Sequence, residues 1–380
     1  MQGHYDDAVV GAGILGLAHA YHLAKRGRRV LVLERHPRAM GASVRNFGML
    51  WPIGQPAGPL RKLALRSLAI WKEILEASKL WHDHCGSLHL AYRDDEWQVL
   101  NEFVDLTSAR DFEVELLNAT EVRARSPFVR KDQLRGAIFS VAETCVDPRQ
   151  VIAELPTWLG HAFGVEFAFQ QLVLGFAAPF VRSHSKIWRA DRLWVCSGDE
   201  LQTLYPEVLL KHGMRHCKLQ MMRTGPTSEL RRIGPMLAGG LTLRHYSAFA
   251  SCPSLPALKR RVANEIPVFD ELGIHVMASQ NGNGEIVIGD SHEYDITNAE
   301  PFNRDEIDRL ILDYLATFLD VPNMRIAERW HGFYMKHPSE SYFVERPSDD
   351  VTLINGVGGN GMTLSFGLAE QVVNQILGAS

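Results

Sequence analysis

The sequence predicts an α/β protein of two domains, one assembled from βαβ units and one carrying antiparallel strands. Three observations carry this prediction. The first 34 residues read as strand, glycine turn, helix and strand, and the last segment, from Val351, repeats strand, glycine-rich turn and helix. Between them, from Leu88, the pattern changes to the apolar and polar alternation of a half-exposed strand.

Taken in order, Ala8-Val9-Val10 is a short apolar strand, Gly11 to Gly16 supplies the turn, an Ala- and Leu-rich helix ends near Gly27, and Val30 to Leu33 is a second buried strand. A Gly-containing loop covers Met40 to Pro59. Leu60, Leu63, Ala64, Leu68, Trp71 and Leu75 then recur at helical spacing in a helix that ends before Gly86. Leu88, Leu90 and Tyr92 alternate with His89 and Ala91 in the first strand of the second architecture. Apolar strands at Val165–Phe169, Leu172–Leu174 and Asp191–Gly198 read as a return to the first sheet. Residues 215 to 323 hold further alternating strands and a turn signal at Asn281-Gly282-Asn283-Gly284. The expected nucleotide-type domain is therefore discontinuous, 1–85 with 145–214 and 325–380, and the substrate domain is 86–144 with 215–324.

Composition narrows the function. Across 380 residues, 40 Lys and Arg oppose 44 Asp and Glu, for a net charge of −4, so no nucleic-acid partner is expected. The five cysteines are scattered without a Cys-x-x-Cys pair, which suits a reducing cytoplasm. No signal peptide or transmembrane segment is read, and the expected partner is a small molecule.

The strongest motif is Gly11-Ala12-Gly13-Ile14-Leu15-Gly16, which follows a strand and opens a helix, with Glu34 ending the next strand. Gly11 permits the tight turn, Gly13 lets backbone approach a pyrophosphate, Gly16 lets helix pack on strand, and Glu34 accepts from a ribose diol. Arg35 beside it softens discrimination against a ribose phosphate. These features predict a Rossmann-like dinucleotide site, with the helix N-terminus facing the phosphates. A second glycine turn, Gly356 to Thr363, again follows a strand and opens an amphipathic helix. A nicotinamide enzyme has no evident use for it. A flavin does, because a helix N-terminus there stabilises the negative charge of the reduced ring.

At this point the sequence resembles the D-amino-acid oxidase superfamily, which contains glycine, sarcosine and D-amino-acid oxidases. The likeness rests on the N-terminal fingerprint, Gly41-Ala42-Ser43-Val44-Arg45-Asn46-Phe47-Gly48, Val146-Asp147-Pro148, the strand from Ala190 to Gly198, and Gly358-Gly359-Asn360-Gly361-Met362. It implies a FAD-binding Rossmann-like domain and an α+β substrate domain on a mixed, largely antiparallel sheet. Cofactor contacts are implied at Gly11, Gly13, Ile14, Leu15 and Gly16, at Glu34 and Arg35, and at Ser43, Arg45, Asn46 and Gly48. They are implied further at Val173, Ser197, Gly198, Gly332 and Phe333, and at Gly358, Asn360, Gly361, Met362 and Thr363. Sarcosine oxidases bond a cysteine to the flavin where this chain reads Trp330-His331-Gly332-Phe333-Tyr334, so FAD is expected to be non-covalent. The family's carboxylate-binding cations are replaced by Tyr334 and Thr363.

The loop from Arg45 to Pro56 further resembles a bacterial subgroup associated with phosphonate breakdown. That likeness implies oxidation of a small amine to an imine that hydrolyses, with an N-alkylated aminophosphonate as the candidate substrate and O2 or another acceptor taking the electrons. Arg244, Tyr246, Tyr334 and Lys336 are the candidate substrate-binding residues, Arg244 foremost for an anionic group. No catalytic side chain is assigned. A FAD-dependent 2-hydroxy-acid dehydrogenase and a non-catalytic nucleotide-binding module are the alternatives. No metal is expected: in His82-Asp83-His84-Cys85 the two histidines cannot share a helix face. Nor does any Gly-x-Ser-x-Gly element support a serine hydrolase. Cys145 and Cys196 read as packed thiols.

Overall fold

The computed structural model describes residues 3–107, 112–226, 232–294 and 301–379. Strands His4–Val10 and Val30–Glu34 pair in parallel across helix Ile14–Lys25, as the first βαβ unit requires. Ile187–Val195 lies parallel to His4–Val10 on its other side, and Val351–Asn355 parallel to Ile187–Val195. Glu166–Phe169 extends the sheet beyond Val30–Glu34, while the hairpin Val173–Ala177 and Phe180–Ser183, together with Phe343–Ser348, adds antiparallel strands, making eight in all. Parallel strands buried on both faces explain the unbroken apolar runs. Helices Pro59–Ser78 and Gly361–Leu377 pack together, joined by the Trp71 indole N–H to the Met362 carbonyl at 2.8 Å.

The second sheet has nine strands and is antiparallel except where Met236–Ala238 runs parallel to Ser87–Ala91. A small three-stranded sheet, Met49–Leu50, Thr144–Val146 and His82–Asp83, lies where the chain passes between the two. The alpha/beta fold with mixed sheets is the expected class. Two details differ from expectation. Strand Ile326–Lys336 pairs along its length with Arg215–Thr224, so it belongs to the second sheet, and the chain re-enters the first only at Phe343. Ser87–Ala91 is buried throughout, because it lies inside the sheet and its polar face is covered: His89 sits between Trp51 and Phe249, with ring centroids 5.3 Å from each.

Candidate functional site

The first glycine turn is built by close approach. Gly11 has φ of 98°, and a Cβ there would lie 2.4 Å from the Cys196 carbonyl oxygen; a Cβ on Gly16 would lie 1.9 Å from the Gly11 oxygen. Gly13 differs, since its Cβ would meet only the Ser43 hydroxyl, at 3.2 Å, and the space beyond is a cavity. Helix Ile14–Lys25 starts there without a side-chain cap or an acidic residue in its first turn, so its partial positive charge is left for a ligand. The Ile14 N–H donates to Ser43 Oγ at 3.0 Å. Glu34 accepts from the N–H groups of Ala12 and His36, both at 3.0 Å, which fixes its carboxylate beside the turn.

The cavity has a volume of about 540 Å³ and extends from Gly11–Leu15 and Glu34–Arg35, past Ser43, Arg45 and Asn46, to the turn Gly356–Met362. Helix Gly361–Leu377 opens at that far end, again with no side-chain cap and no acid in its first turn. Asn46 shapes the intervening loop: its amide donates to the carbonyls of Ala42 and Ser43, and its Oδ1 accepts from Gly48 N–H at 2.8 Å. Ser197, Gly198, Gly332, Phe333, Gly358, Asn360, Gly361 and Met362 also line the cavity.

Four expected cofactor residues stand outside its lining, and each has a structural task. Gly16 admits the Gly11 carbonyl, and Gly48, at φ of 72°, avoids a Cβ 1.9 Å from the Val146 oxygen. Val173 is buried in its strand. Thr363 Oγ1 accepts from the Trp51 N–H at 2.9 Å.

Tyr246, Tyr334 and Lys336 line the same cavity, beside Tyr294. The Tyr334 ring lies about 3.7 Å from where a Gly358 Cβ would stand, so this group is next to the second glycine turn. Burial pushes the phenols of Tyr246, Tyr294 and Tyr334 up, keeping all three protonated at neutral pH. The Lys336 ammonium lies 3.4 Å from the Tyr294 hydroxyl.

Arg244 is a correction. Its guanidinium contacts Asp270 at 2.6 Å and donates to the carbonyls of Phe269 at 3.0 Å and Ile274 at 2.6 Å, and it does not line the cavity. A guanidinium held by two carbonyls and a carboxylate ties its turn to helix Pro267–Glu271 and to Ile274 rather than meeting substrate. Arg244→Ala is therefore expected to cost about 2–3 kcal/mol of stability, with KM within twofold of wild type. Urea denaturation and initial-rate kinetics check this; a large KM rise at unchanged stability would return Arg244 to the substrate site.

The structure also assembles residues that sequence reading left apart. His245, His275 and His292 converge on the cavity near Tyr246 and Tyr334, with Asp290 among them. In contrast, His82 and His84 turn to the Leu80 carbonyl and the Thr144 hydroxyl. All five cysteines are free, and burial pushes the Cys145 and Cys196 thiols up, as suits inert packed groups.

Comparison with known proteins decides the family: the pattern described as FAD dependent oxidoreductase runs over residues 6–375. The chain belongs to that family. Glycine oxidase of Geobacillus kaustophilus is 28% identical over 163 residues, covering 41% of this chain and 43% of that protein. L-2-hydroxyglutarate dehydrogenase of Escherichia coli is 25% identical over 226 residues, 56% and 52% of the two chains. This FAD-dependent oxidoreductase thus matches about half the length of those relatives. The crystal structure of the Geobacillus kaustophilus glycine oxidase superposes with a TM-score of 0.79 at 18% identity, over 100% of this chain and 96% of that one, a likeness of fold. Among the described residues no helix is long and apolar enough to cross a membrane.

Proposed function

We propose that this family member holds FAD non-covalently in the cavity and oxidises the C–N bond of a small amine bearing a remote anionic group. The observation that carries the reading is one continuous cavity joining two uncapped helix N-termini to a tyrosine- and lysine-lined end. The residues fit the cofactor. Gly11, Gly13 and the start of helix Ile14–Lys25 would hold the pyrophosphate, Glu34 a ribose, and Gly358–Met362 the anionic edge of the ring. Bound FAD supplies a hydride acceptor. Strand Ile326–Lys336 offers the cavity Gly332 and Phe333 and no cysteine, which supports non-covalent attachment. Five free thiols support a reducing compartment, the cytoplasm.

The chain's own residues orient the substrate. Neutral phenols from Tyr246, Tyr294 and Tyr334 wall the site without charge, which favours the amine as free base, the form that releases a hydride from the adjacent carbon. Lys336 is the ammonium placed to meet a remote anion. The substrate to try first is an N-alkylated 2-aminoethylphosphonate, since the loop from Arg45 to Pro56 carries the likeness to phosphonate-associated relatives.

The test is a panel of secondary amines bearing phosphonate, carboxylate or no anion, run beside 2-hydroxy acids, with flavin bleaching, peroxide and dye reduction recorded. Amines should bleach the flavin, and imine hydrolysis should release an aldehyde. Bleaching by hydroxy acids alone would overturn the amine reading in favour of the activity named for the Escherichia coli relative. Lys336→Met should raise KM for anionic amines by about tenfold, roughly 1.4 kcal/mol, and leave uncharged amines unaffected. Equal effects on both would remove Lys336 from anion recognition.

A further inference from the structure

The histidine cluster has a feature that phenol-lined walls do not explain. One ring nitrogen from each of His245, His275 and His292 lies within 4.8 Å of the others, and the ring centroids are 3.8, 4.6 and 5.0 Å apart. The three come from separate segments: His245 ends the turn Gly240–Arg244, His275 precedes strand Met277–Gln280, and His292 follows strand Ile286–Gly289. Asp290 stands among them, its Oδ1 3.2 Å from His275 Nε2 and its Oδ2 3.7 Å from His292 Nε2.

Apart from His245, which is exposed, these groups are buried, and His275 and Asp290 are poorly satisfied. Neither nitrogen of His275 nor Asp290 Oδ1 has a hydrogen-bond partner, although His275 and Asp290 are 2% and 5% exposed. Among the described residues no lysine or arginine pairs with Asp290. His292 Nδ1 lies 3.3 Å from the Gly273 carbonyl, which can only accept, so in the neutral ring Nδ1 carries the proton. Its Nε2 then carries the lone pair and lies 3.7 Å from Asp290 Oδ2. Buried ring nitrogens and a carboxyl oxygen left without hydrogen-bond partners are donor atoms that a bound cation would satisfy. A backbone carbonyl fixing the tautomer of one ring is also how metal-ligating histidines are oriented.

We propose that His245, His275 and His292, with Asp290 beside them, form a site for a divalent transition-metal ion of the zinc class at the substrate end of the cavity. Three imidazole nitrogens are a donor set such ions accept, and the Asp290 carboxyl lies within 3.2 Å of one of these rings. Because His245 is the ring most open to the cavity, a further coordination position on that side would be free for an anionic oxygen of the substrate. That last role rests on the reading given under Proposed function, whereas the site itself does not.

The test uses holoenzyme stripped with a chelator and titrated with Zn2+ and Co2+ by calorimetry, with the flavin-to-protein ratio recorded alongside. One equivalent should bind, and His275→Ala should weaken binding by at least about a hundredfold while flavin stays in place. If His275→Ala loses flavin, the isosteric Asp290→Asn supplies the same comparison. Absence of saturable binding by wild type, or equal affinity in a flavin-replete variant, would overturn the site. Amine turnover by a protein that binds no metal would do so while leaving the proposed oxidation standing.

Discussion

Purified Gly13→Leu protein is expected to be colourless, with a flavin-to-protein ratio at least about tenfold below wild type. The surroundings of Gly13 differ from those of its neighbours. At Gly11 and Gly16 a Cβ would strike backbone within 2.4 Å, so a substitution there would distort the fold itself. At Gly13 the only protein atom in the way is the Ser43 hydroxyl, and the leucine side chain would project into the space where a pyrophosphate must approach. Circular dichroism should therefore match wild type while the flavin bands vanish. In wild type, acid precipitation should leave the flavin in the supernatant, as non-covalent binding requires. A yellow Gly13→Leu protein would show that the cofactor lies elsewhere, and flavin retained in the acid pellet would show a covalent bond.

Trp71→Ala is expected to lower stability by about 3–5 kcal/mol. The side chain is fully buried, packs edge-on against Phe366 with centroids 4.7 Å apart, and donates to the Met362 carbonyl. Truncation leaves a cavity between helices Pro59–Ser78 and Gly361–Leu377 and removes the indole hydrogen bond that ties the first turn of the second helix to the first. Since Met362 lines the cavity, flavin affinity should fall as well. Trp71→Phe keeps most of the volume and loses the hydrogen bond, so its cost should be nearer 1–2 kcal/mol. Denaturant titration of both apoproteins is the check; equal losses would mean that the indole volume contributes little.

The two glycine turns were legible because their chemistry is local: strand, glycine spacing and helix are contiguous, and the structure sets both along one cavity. Residues whose roles depend on distant partners were not. Arg244 offers the same letter in a sequence whether it meets a ligand or, as here, Asp270 and two carbonyls. His245, His275 and His292 share no periodicity, since three loops of the second sheet bring them together. His89 mimicked the polar half of an alternating strand, and only the covering Trp51 and Phe249 rings reveal a buried one. Strand Ile326–Lys336 precedes the closing strand and helix of the first sheet in sequence, yet its register with Arg215–Thr224 puts it in the second sheet.

That strand has a bearing on how the molecule can be divided. Gly332 to Lys336, hydrogen-bonded into one sheet, share a cavity wall with Gly356 to Met362, which are delivered by the other. The first sheet draws on segments near residues 4–34, 166–195 and 343–355, and the second on those between and on 326–336. No contiguous fragment contains one sheet entire without strands of the other, so neither half is available as an independent folding unit. Limited proteolysis or truncation at any single point would thus strip strands from a sheet rather than release a domain, and ligand binding in the shared cavity would be felt as a clamp on both sheets at once.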